Sequence, residues 1–342
     1  MQRTLTSGPI TSSILLFALP LMFGNLLQQM YNIADTWVVG RFLGADALAA
    51  VGSSYTLMTF LTSILLGLCM GSGAAISMQY GSGEYDKMRQ SVFQSFVLIA
   101  GMALVLNLLV YLGLDGILWV LRVPEELKLL MKDYLVIIFL GITATFLYNY
   151  FANLLRAIGN SVVPLVFLAV SSILNVVLDL WFIAGMGMGV AGAAVATVIA
   201  QGVSVVLCIL YVMARVRILI PGRKHLDVGR KLYWDLFSQS ISMGLMSSIV
   251  SAGSVILQYG INGLGTLTIA GHTAARKLFA FTDMPLIAMA NAASTFVSQN
   301  YGAGQPERIR KGMREIYLYS LVVMVVTVLL MQVSAEWLVR MV

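Results

Sequence analysis

The residues of this sequence that can do chemistry are acids and amides placed inside apolar runs. Asn175 and Asp179 lie four residues apart in one such run, a spacing that puts both on one face of a helix. Gln28, Asn32 and Asp35 share a face in the first apolar run. A carboxylate at the centre of a membrane helix costs about 2.5–3.5 kcal/mol on insertion scales, so each acid marks a candidate functional site.

Asp35, Asn175, Asp179 and Thr197 are predicted to lie at one depth. The first and fifth runs cross in the same direction with their acids near one end, and Thr197 lies about two turns into the sixth run, which crosses back. Two neighbouring carboxyl groups in a low dielectric do not both ionise readily, so the pair can take up and release a proton near neutral pH. With the Asn and Thr oxygens, the pair can also chelate Na⁺. The structural alternatives are that the acids cap helices or pair with Arg41, and that Asn175 joins helices by hydrogen bonding.

Composition places these residues in a membrane protein. Of 342 residues, 59% are hydrophobic and 11% charged, against about 25% charged in soluble domains, and the mean hydropathy is +0.89. The expected fold class is all-α, a polytopic helical membrane protein. Cys69 and Cys208 lie in apolar runs and His225 and His272 form no ligand motif, so we expect no cofactor and no metal site apart from Na⁺. The positive charge lies in loops, which argues against a nucleic-acid partner.

Nine apolar spans are predicted, at roughly 12–39, 47–80, 87–113, 128–156, 162–183, 190–214, 232–260, 268–300 and 312–336. If the N-terminus is cytoplasmic, fourteen Lys and Arg residues fall on the inside and five on the outside. This asymmetry agrees with the positive-inside rule. We therefore expect a multi-pass protein of the plasma (inner) membrane with a cytoplasmic N-terminus.

The sequence repeats itself at an offset of 221 residues. Gln79–Arg89 aligns with Asn300–Arg310, and both copies of this Tyr-Gly turn fall on the predicted cytoplasmic side. Parallel repeats of this kind are typical of transporters built from two facing lobes. We assign residues 1–217 to an N-terminal six-helix lobe, 218–231 to a cytoplasmic inter-lobe loop and 232–342 to the first three helices of a C-terminal lobe. By this analogy nine of twelve helices are present, and helices 10–12, or a partner chain that supplies them, are missing.

Several segments resemble the multidrug and toxic compound extrusion (MATE) family. They are the loop after the first span, an Arg-x-x-Gly-Asn turn, the signature of the fifth and sixth spans and the second Tyr-Gly turn: Val39–Gly52, Arg156–Pro164, Asn175–Asp179 with Gly187–Thr197, and Tyr301–Gly304. The resemblance covers the whole chain. It implies cation-coupled efflux by alternating access between two six-helix lobes.

The resemblance also implies roles for individual residues. Asp35, Asn175 and Asp179 match the coupling site of the family, and Thr197 matches its helix 6 threonine. Pro20 matches the bending point of helix 1, with a purely structural kink as the alternative. The residues expected to line the substrate cavity are Gln28, Asn32 and Asn149.

The sequence departs from the family pattern at two places. One branch of the family couples through an acid in helix 7, but the core of the seventh span here offers only Gln239 and Gln258. Leu180 follows Asp179 where many members have proline. Coupling through the N-terminal lobe is therefore expected, with H⁺ ahead of Na⁺.

The predicted function is an antiporter that exports organic cations across the lipid bilayer. One alternative is a lipid or oligosaccharide flippase of the same superfamily, which usually carries a basic central cavity; another is a fragment that does not transport. No enzyme is expected, because neither Asp35 nor Asp179 lies in the Tyr-Asp and Gly-x-Gly-Asp motifs of intramembrane aspartyl proteases.

Overall fold

The chain is helical wherever its structure is described. A computed structural model describes residues 4–120, 123, 125–227, 229–262 and 266–341. Within these ranges there are ten α-helices and no strand: α1 (Ile10–Leu43), α2 (Ala45–Ser82), α3 (Tyr85–Val120), α4 (Glu125–Leu140), α5 (Ile142–Ala157), α6 (Val162–Asp179), α7 (Gly189–Arg215), α8 (Arg230–Asn262), α9 (Thr266–Gly302) and α10 (Pro306–Met341). A π-helical turn, Leu180–Gly185, follows α6, and two short 3-10 turns, Arg217–Leu219 and Arg223–His225, follow α7. The predicted all-α class is confirmed.

If α4 and α5 are counted as one segment, the ten helices of the described residues form nine segments, each where a span is predicted. Among the described residues, six helices are long and apolar enough to cross a bilayer, namely α1, α2, α3, α6, α7 and α10. The pair α4 and α5, bent by 47°, makes a seventh if it counts as one span. Helices α8 and α9 have 33 and 37 residues, more than the about 20 that a crossing needs.

Helices α2 to α7, which we call the earlier helices, enclose one large hydrophobic core together with α1; we call α8 to α10 the later helices. It is built from buried residues of α1 to α5 and α7. Tyr150 of α5 is fully buried in it, with the ring centroids of Phe96 and Phe146 at 5.5 and 5.9 Å. Its hydroxyl group lies 2.9 Å from Oγ of Ser95, which satisfies its polar end inside the core. This packing fixes α5 against α3.

The predicted inter-lobe loop, residues 218–231, is tied to the start of α3. The ring of His225 is buried, and its Nδ1 accepts the main-chain N–H of Gly222 at 2.8 Å. Its Nε2 lies 3.0 Å from Oδ1 of Asp86, whose other oxygen accepts from Nζ of Lys224 at 3.0 Å. The loop is therefore ordered against the earlier helices, and the lobe boundaries at 217 and 232 stay a prediction.

Helix α2 crosses α8 at two glycines that lie one turn apart. A Cβ atom at Gly67 would lie 2.6 Å from the Cα of Gly244, and one at Gly71 would lie 2.5 Å from the carbonyl oxygen of Gln239. A spacing of four residues places both glycines on one helix face. Small residues at this spacing let membrane helices approach closely.

The start of α1 packs on α9 and α10 rather than on the main core. A second apolar cluster joins these elements, with the buried members Leu5, Ile14, Phe17, Ala18, Leu21, Ala288, Met289, Ala292, Phe296 and Ile316. Further along, α1 packs on α6. Helix α1 therefore contacts both the earlier and the later helices.

Both copies of the repeated turn lie at one end of the molecule, which we call the Tyr-Gly end. Gly83 and Gly304 occupy equivalent positions in the two copies and have φ angles of 76° and 66°, in the left-handed region that favours glycine. The main-chain N–H groups of Glu84 and Gln305 bond back to Gln79 and Asn300 at 3.1 and 2.9 Å. The repeat thus encodes the same local turn twice.

The two copies also contact each other across the molecule. A Cβ atom added at Gly81 would overlap the main chain of Gln299, and one added at Gly302 would overlap the main chain of Met78. These two contacts are related by the repeat offset of 221 residues. Helices α2 and α9 therefore cross at the Tyr-Gly end with their backbones in direct contact.

Candidate functional site

Three helices bring the four predicted coupling residues together. Asp35 lies on α1, Asn175 and Asp179 end α6, and Thr197 lies on α7. The side-chain amide of Asn175 donates to Oγ1 of Thr197 at 3.4 Å. The carboxyl groups of Asp35 and Asp179 lie close enough to interact electrostatically, so we call these two residues the acid pair.

Four oxygens of this site are buried and lack hydrogen-bond partners among the described residues. Asp179 and Asn175 are 0% and 1% exposed. Both carboxylate oxygens of Asp179, Oδ1 of Asp35 and Oδ1 of Asn175 have no partner among the described residues. Most buried polar atoms in proteins are paired, so four unpaired oxygens at one place indicate a site that binds a proton or a cation.

The structure does not support the structural alternatives for the acids. Among the described residues, no salt bridge joins Arg41 to Asp35 or Asp179. Asp179 does not cap α6, because the chain continues directly into the π-helical turn that starts at Leu180. π-Helical turns inside helices occur often at functional sites. Leu180, which stands where many family members have proline, is the first residue of this turn.

Two tyrosines beside the acid pair were missed by the sequence analysis. The hydroxyl of Tyr31 lies 3.4 Å from Oγ1 of Thr197, and its ring is one turn before Asp35 on α1. Tyr134 of α4 is 5% exposed and interacts electrostatically with both acids. The spacing of four from Asp35 was a signal for Tyr31, whereas nothing local in the sequence pointed to Tyr134.

The remaining predicted residues lie outside this cluster. Among the described residues, no hydrogen bond joins Gln28, Asn32 or Asn149 to the acid pair. Gln28 is exposed, Asn32 is half-buried, and the amide of Asn149 donates to the carbonyl of Thr145 in its own helix at 2.8 Å. Pro20 lies inside α1, which continues through it to Leu43. A cavity role for the three amides and a bending role for Pro20 stay predictions.

The donor set suits a hard cation or a proton. The site offers carboxylate, amide and hydroxyl oxygens, the ligands that hard cations prefer. Among the described residues, no cluster of three or more His, Cys, Asp or Glu side chains could hold a metal ion. The carboxyl groups of the site suit H⁺, and its oxygens from all three helices together suit Na⁺.

Known proteins that this chain resembles are multidrug resistance and multidrug export proteins. The sequence model of the MatE family matches residues 20–181 and 243–342. "Probable multidrug resistance protein YpnP" of Bacillus subtilis (strain 168) is 30% identical over 308 residues, which are 89% of this chain and 68% of that protein. "Multidrug export protein MepA" of Staphylococcus aureus (strain NCTC 8325 / PS 47) is 26% identical over 304 residues, which are 87% of this chain and 66% of that protein.

A solved structure shares the fold. It is described as the outward-facing conformation of a multidrug resistance MATE family transporter of the MOP superfamily. It superposes with a TM-score of 0.90 at 21% sequence identity, over 97% of this chain and 74% of that chain. The family match covers well over half of the chain, and the helical architecture agrees with it. This chain therefore belongs to the MATE family of multidrug efflux transporters.

Proposed function

We propose that this chain is a cation-coupled antiporter that exports organic cations by alternating access, with H⁺ as the coupling ion ahead of Na⁺. The N-terminal lobe carries the coupling site and the C-terminal helices supply the facing wall of the pathway. The Tyr-Gly end faces the cytoplasm of the inner membrane, which agrees with the excess of Lys and Arg on that side.

The observation that supports this proposal is the acid pair. Two adjacent carboxyl groups lie in a buried site, and four of the site's oxygens have no partner among the described residues. An isolated buried carboxylate is expensive, so a bound proton or cation stabilises the site. Binding and release of that cation is the event that can be coupled to movement of a second, organic cation.

H⁺ is favoured over Na⁺ because two of the six side chains at the site are aromatic. Tyr31 and Tyr134 lie close enough to both acids to interact with them electrostatically. A proton needs only one carboxyl oxygen, whereas Na⁺ needs several oxygens at once. The hydrogen-bonded Thr197 then orients Asn175 rather than serving as a metal ligand.

The flippase alternative has less support. Such proteins usually carry a basic central cavity, but the described part of the chain places no salt-bridging Lys or Arg against the acid pair. A negatively charged site favours a cationic substrate over a pyrophosphate-linked lipid.

The proposal is tested with everted membrane vesicles that take up ethidium, a fluorescent organic cation. Asp179→Asn and Asp35→Asn should each abolish uptake driven by an imposed proton gradient while leaving the amount of inserted protein unchanged. The matched control is Asp133→Asn, which changes an exposed aspartate of α4 and should transport normally. Full gradient-driven transport by either acid-pair variant would overturn the coupling role.

The coupling ion is tested separately in proteoliposomes. We expect ethidium transport with a pH gradient in Na⁺-free buffer and none with a Na⁺ gradient at equal pH on both sides. The reverse result would assign Na⁺ to the same oxygens and contradict the preference for H⁺.

A further inference from the structure

Residues 4–9 precede α1 and bond to the later helices; we call them the N-terminal strap. The main-chain N–H of Leu5 donates to Oε1 of Gln299 at 3.0 Å, and its carbonyl accepts from Nδ2 of Asn300 at 3.2 Å. The side chain of Leu5 is 2% exposed, in the apolar cluster that contains Phe296. The strap is therefore docked on the end of α9 by main-chain and side-chain contacts together.

Arg308, in the first turn of α10, holds the strap with all three of its guanidinium nitrogens. Nη1 donates to the carbonyl of Gly8 at 2.8 Å, Nη2 donates to the carbonyls of Leu5 and Ser7 at 3.1 Å each, and Nε donates to Leu5 at 3.3 Å. The guanidinium carbon also lies 5.7 Å from the ring centroid of Phe296. A planar fork of donors suits several converging carbonyl groups, whereas a lysine could serve only one or two of them.

The strap is separated from the earlier helices by a cavity. This cavity, of about 590 Å³, is lined on one side by the strap and the start of α1 and on the other by the turn between α5 and α6, residues 159–163. Across the same interface, Nε2 of Gln299 donates to the carbonyl of Ala157 at 2.7 Å. The start of α1 thus belongs by contact to the later helices, although the chain carries it on into the earlier ones.

This arrangement links the two groups of helices. Beyond its start, α1 packs on α6 and carries Asp35 to the acid pair. While α1 stays straight, docking its start on α9 and α10 fixes the earlier and later helices relative to each other. The backbone contacts at Gly81 and Gly302 then stay closed, because the helices cannot separate at the Tyr-Gly end without undocking the strap or bending α1.

We propose that the N-terminal strap, docked by Arg308, is a latch that holds the Tyr-Gly end closed. The purpose of the latch rests on the proposed function: in alternating access, opening this end would expose the pathway to the proposed cytoplasmic side. Its existence is a statement about distances between helices and needs neither a substrate nor an ion gradient to be tested.

The test is a distance measurement by pulsed electron paramagnetic resonance in lipid nanodiscs. Spin labels are attached at Lys87→Cys on α3 and Lys311→Cys on α10, both exposed, after the buried Cys69 and Cys208 are replaced by alanine. Arg308→Gln should add a longer-distance population that is several times larger than in the labelled parent. The matched control is Arg310→Gln, which removes an arginine whose only ion pair among the described residues is the exposed one with Glu307.

A second variant keeps the test decisive if Arg308→Gln does not fold. Gly8 has a φ angle of 77°, and a Cβ there would meet no atom within 4 Å, so Gly8→Ala strains the strap without touching the helices. It should increase the same long-distance population, by less than Arg308→Gln. Unchanged distances in both variants, or equal shifts with Arg310→Gln, would overturn the latch. A shift in distance without any loss or gain of ethidium transport would leave the latch standing and count against the proposed transport cycle.

Discussion

Thr197 connects the candidate site across three helices. Its hydroxyl oxygen lies 3.4 Å from both the amide nitrogen of Asn175 on α6 and the hydroxyl of Tyr31 on α1. These hydrogen bonds are long, and Oδ1 of Asn175 has no partner among the described residues. The hydroxyl therefore orients its two neighbours around the acid pair rather than contributing much to stability by itself.

Thr197→Val should impair coupling more than folding. The valine keeps the shape of threonine and removes only two long hydrogen bonds, each worth at most about 0.5–1.5 kcal/mol, but it no longer orients Asn175 and Tyr31. We expect proton-driven ethidium uptake at a clearly reduced rate in vesicles with normal protein content. Thr197→Ser, which keeps the hydroxyl, is the control and should restore most of the rate; a wild-type rate for the valine variant would remove Thr197 from the site.

Helix α1 is the element that reaches from the Tyr-Gly end to the acid pair. Pro20 lies in the part of α1 that packs on the later helices, since Leu21 belongs to the second apolar cluster and Nδ2 of Asn25 donates to the carbonyl of Met284 at 3.3 Å. Asp35, further along α1, faces α6. A proline inside a helix removes one main-chain hydrogen bond and makes bending easier at that point. A relative movement of the two groups of helices would therefore bend α1 most easily at Pro20.

Pro20→Ala should slow turnover while raising the intrinsic helix stability of α1, because alanine restores the missing hydrogen bond. The measurement is the initial rate of ethidium uptake per molecule of inserted protein. Pro306→Ala is the control, since a proline at the first residue of α10 occupies a position where its missing N–H has no helical partner anyway. Normal turnover in Pro20→Ala would leave Pro20 with a structural role only.

Helix α2 is the element that sets how closely the two groups of helices approach. Gly71→Val should destabilise the protein by about 1–3 kcal/mol, because its side chain would overlap the main chain of α8. Gly101→Val on α3 is the control, since a Cβ there meets no atom within 4 Å. The thermal midpoint in detergent should fall for the first variant and change little for the second; equal midpoints would contradict the close crossing.

At the scale of the whole molecule, the loop between the two groups of helices is fastened to one of them. Asp86 at the start of α3 contacts both His225 and Lys224 of the loop. The lysine contact is exposed, and exposed ion pairs contribute little to stability. The buried ring of His225 therefore contributes more to the attachment than Lys224 does, through its bonds to Gly222 and Asp86.

His225→Ala should free this loop for proteolysis. Arg217, Arg223 and Lys224 are exposed, and a loop that is held less firmly fits the trypsin active site more readily. We therefore expect faster cleavage into two fragments by limited digestion in micelles. The control is Asp227→Asn, because the carboxylate of Asp227 forms no ion pair among the described residues and its change should leave the cleavage rate as in the parent. Equal rates for all three proteins would show that the loop is held by other contacts.

The sequence by itself determined the class of this protein and the core of its site. A low charge content excludes a water-covered surface, and helical periodicity is local, so the shared face of Asn175 and Asp179 could be predicted from four residues of spacing. The match of Asp35 and Thr197 to the same depth followed from the crossing directions of three apolar runs. The adjacency of these residues in the structure agrees with that prediction.

Only the tertiary structure decided which distant residues complete these features. Tyr134 reaches the acid pair from α4, and Arg308 reaches the strap across about three hundred residues of chain, as counted from Leu5 to Arg308. No local pattern encodes such contacts, because they depend on how the helices pack against one another. Periodicity states which face of a helix is polar; packing alone states what that face meets.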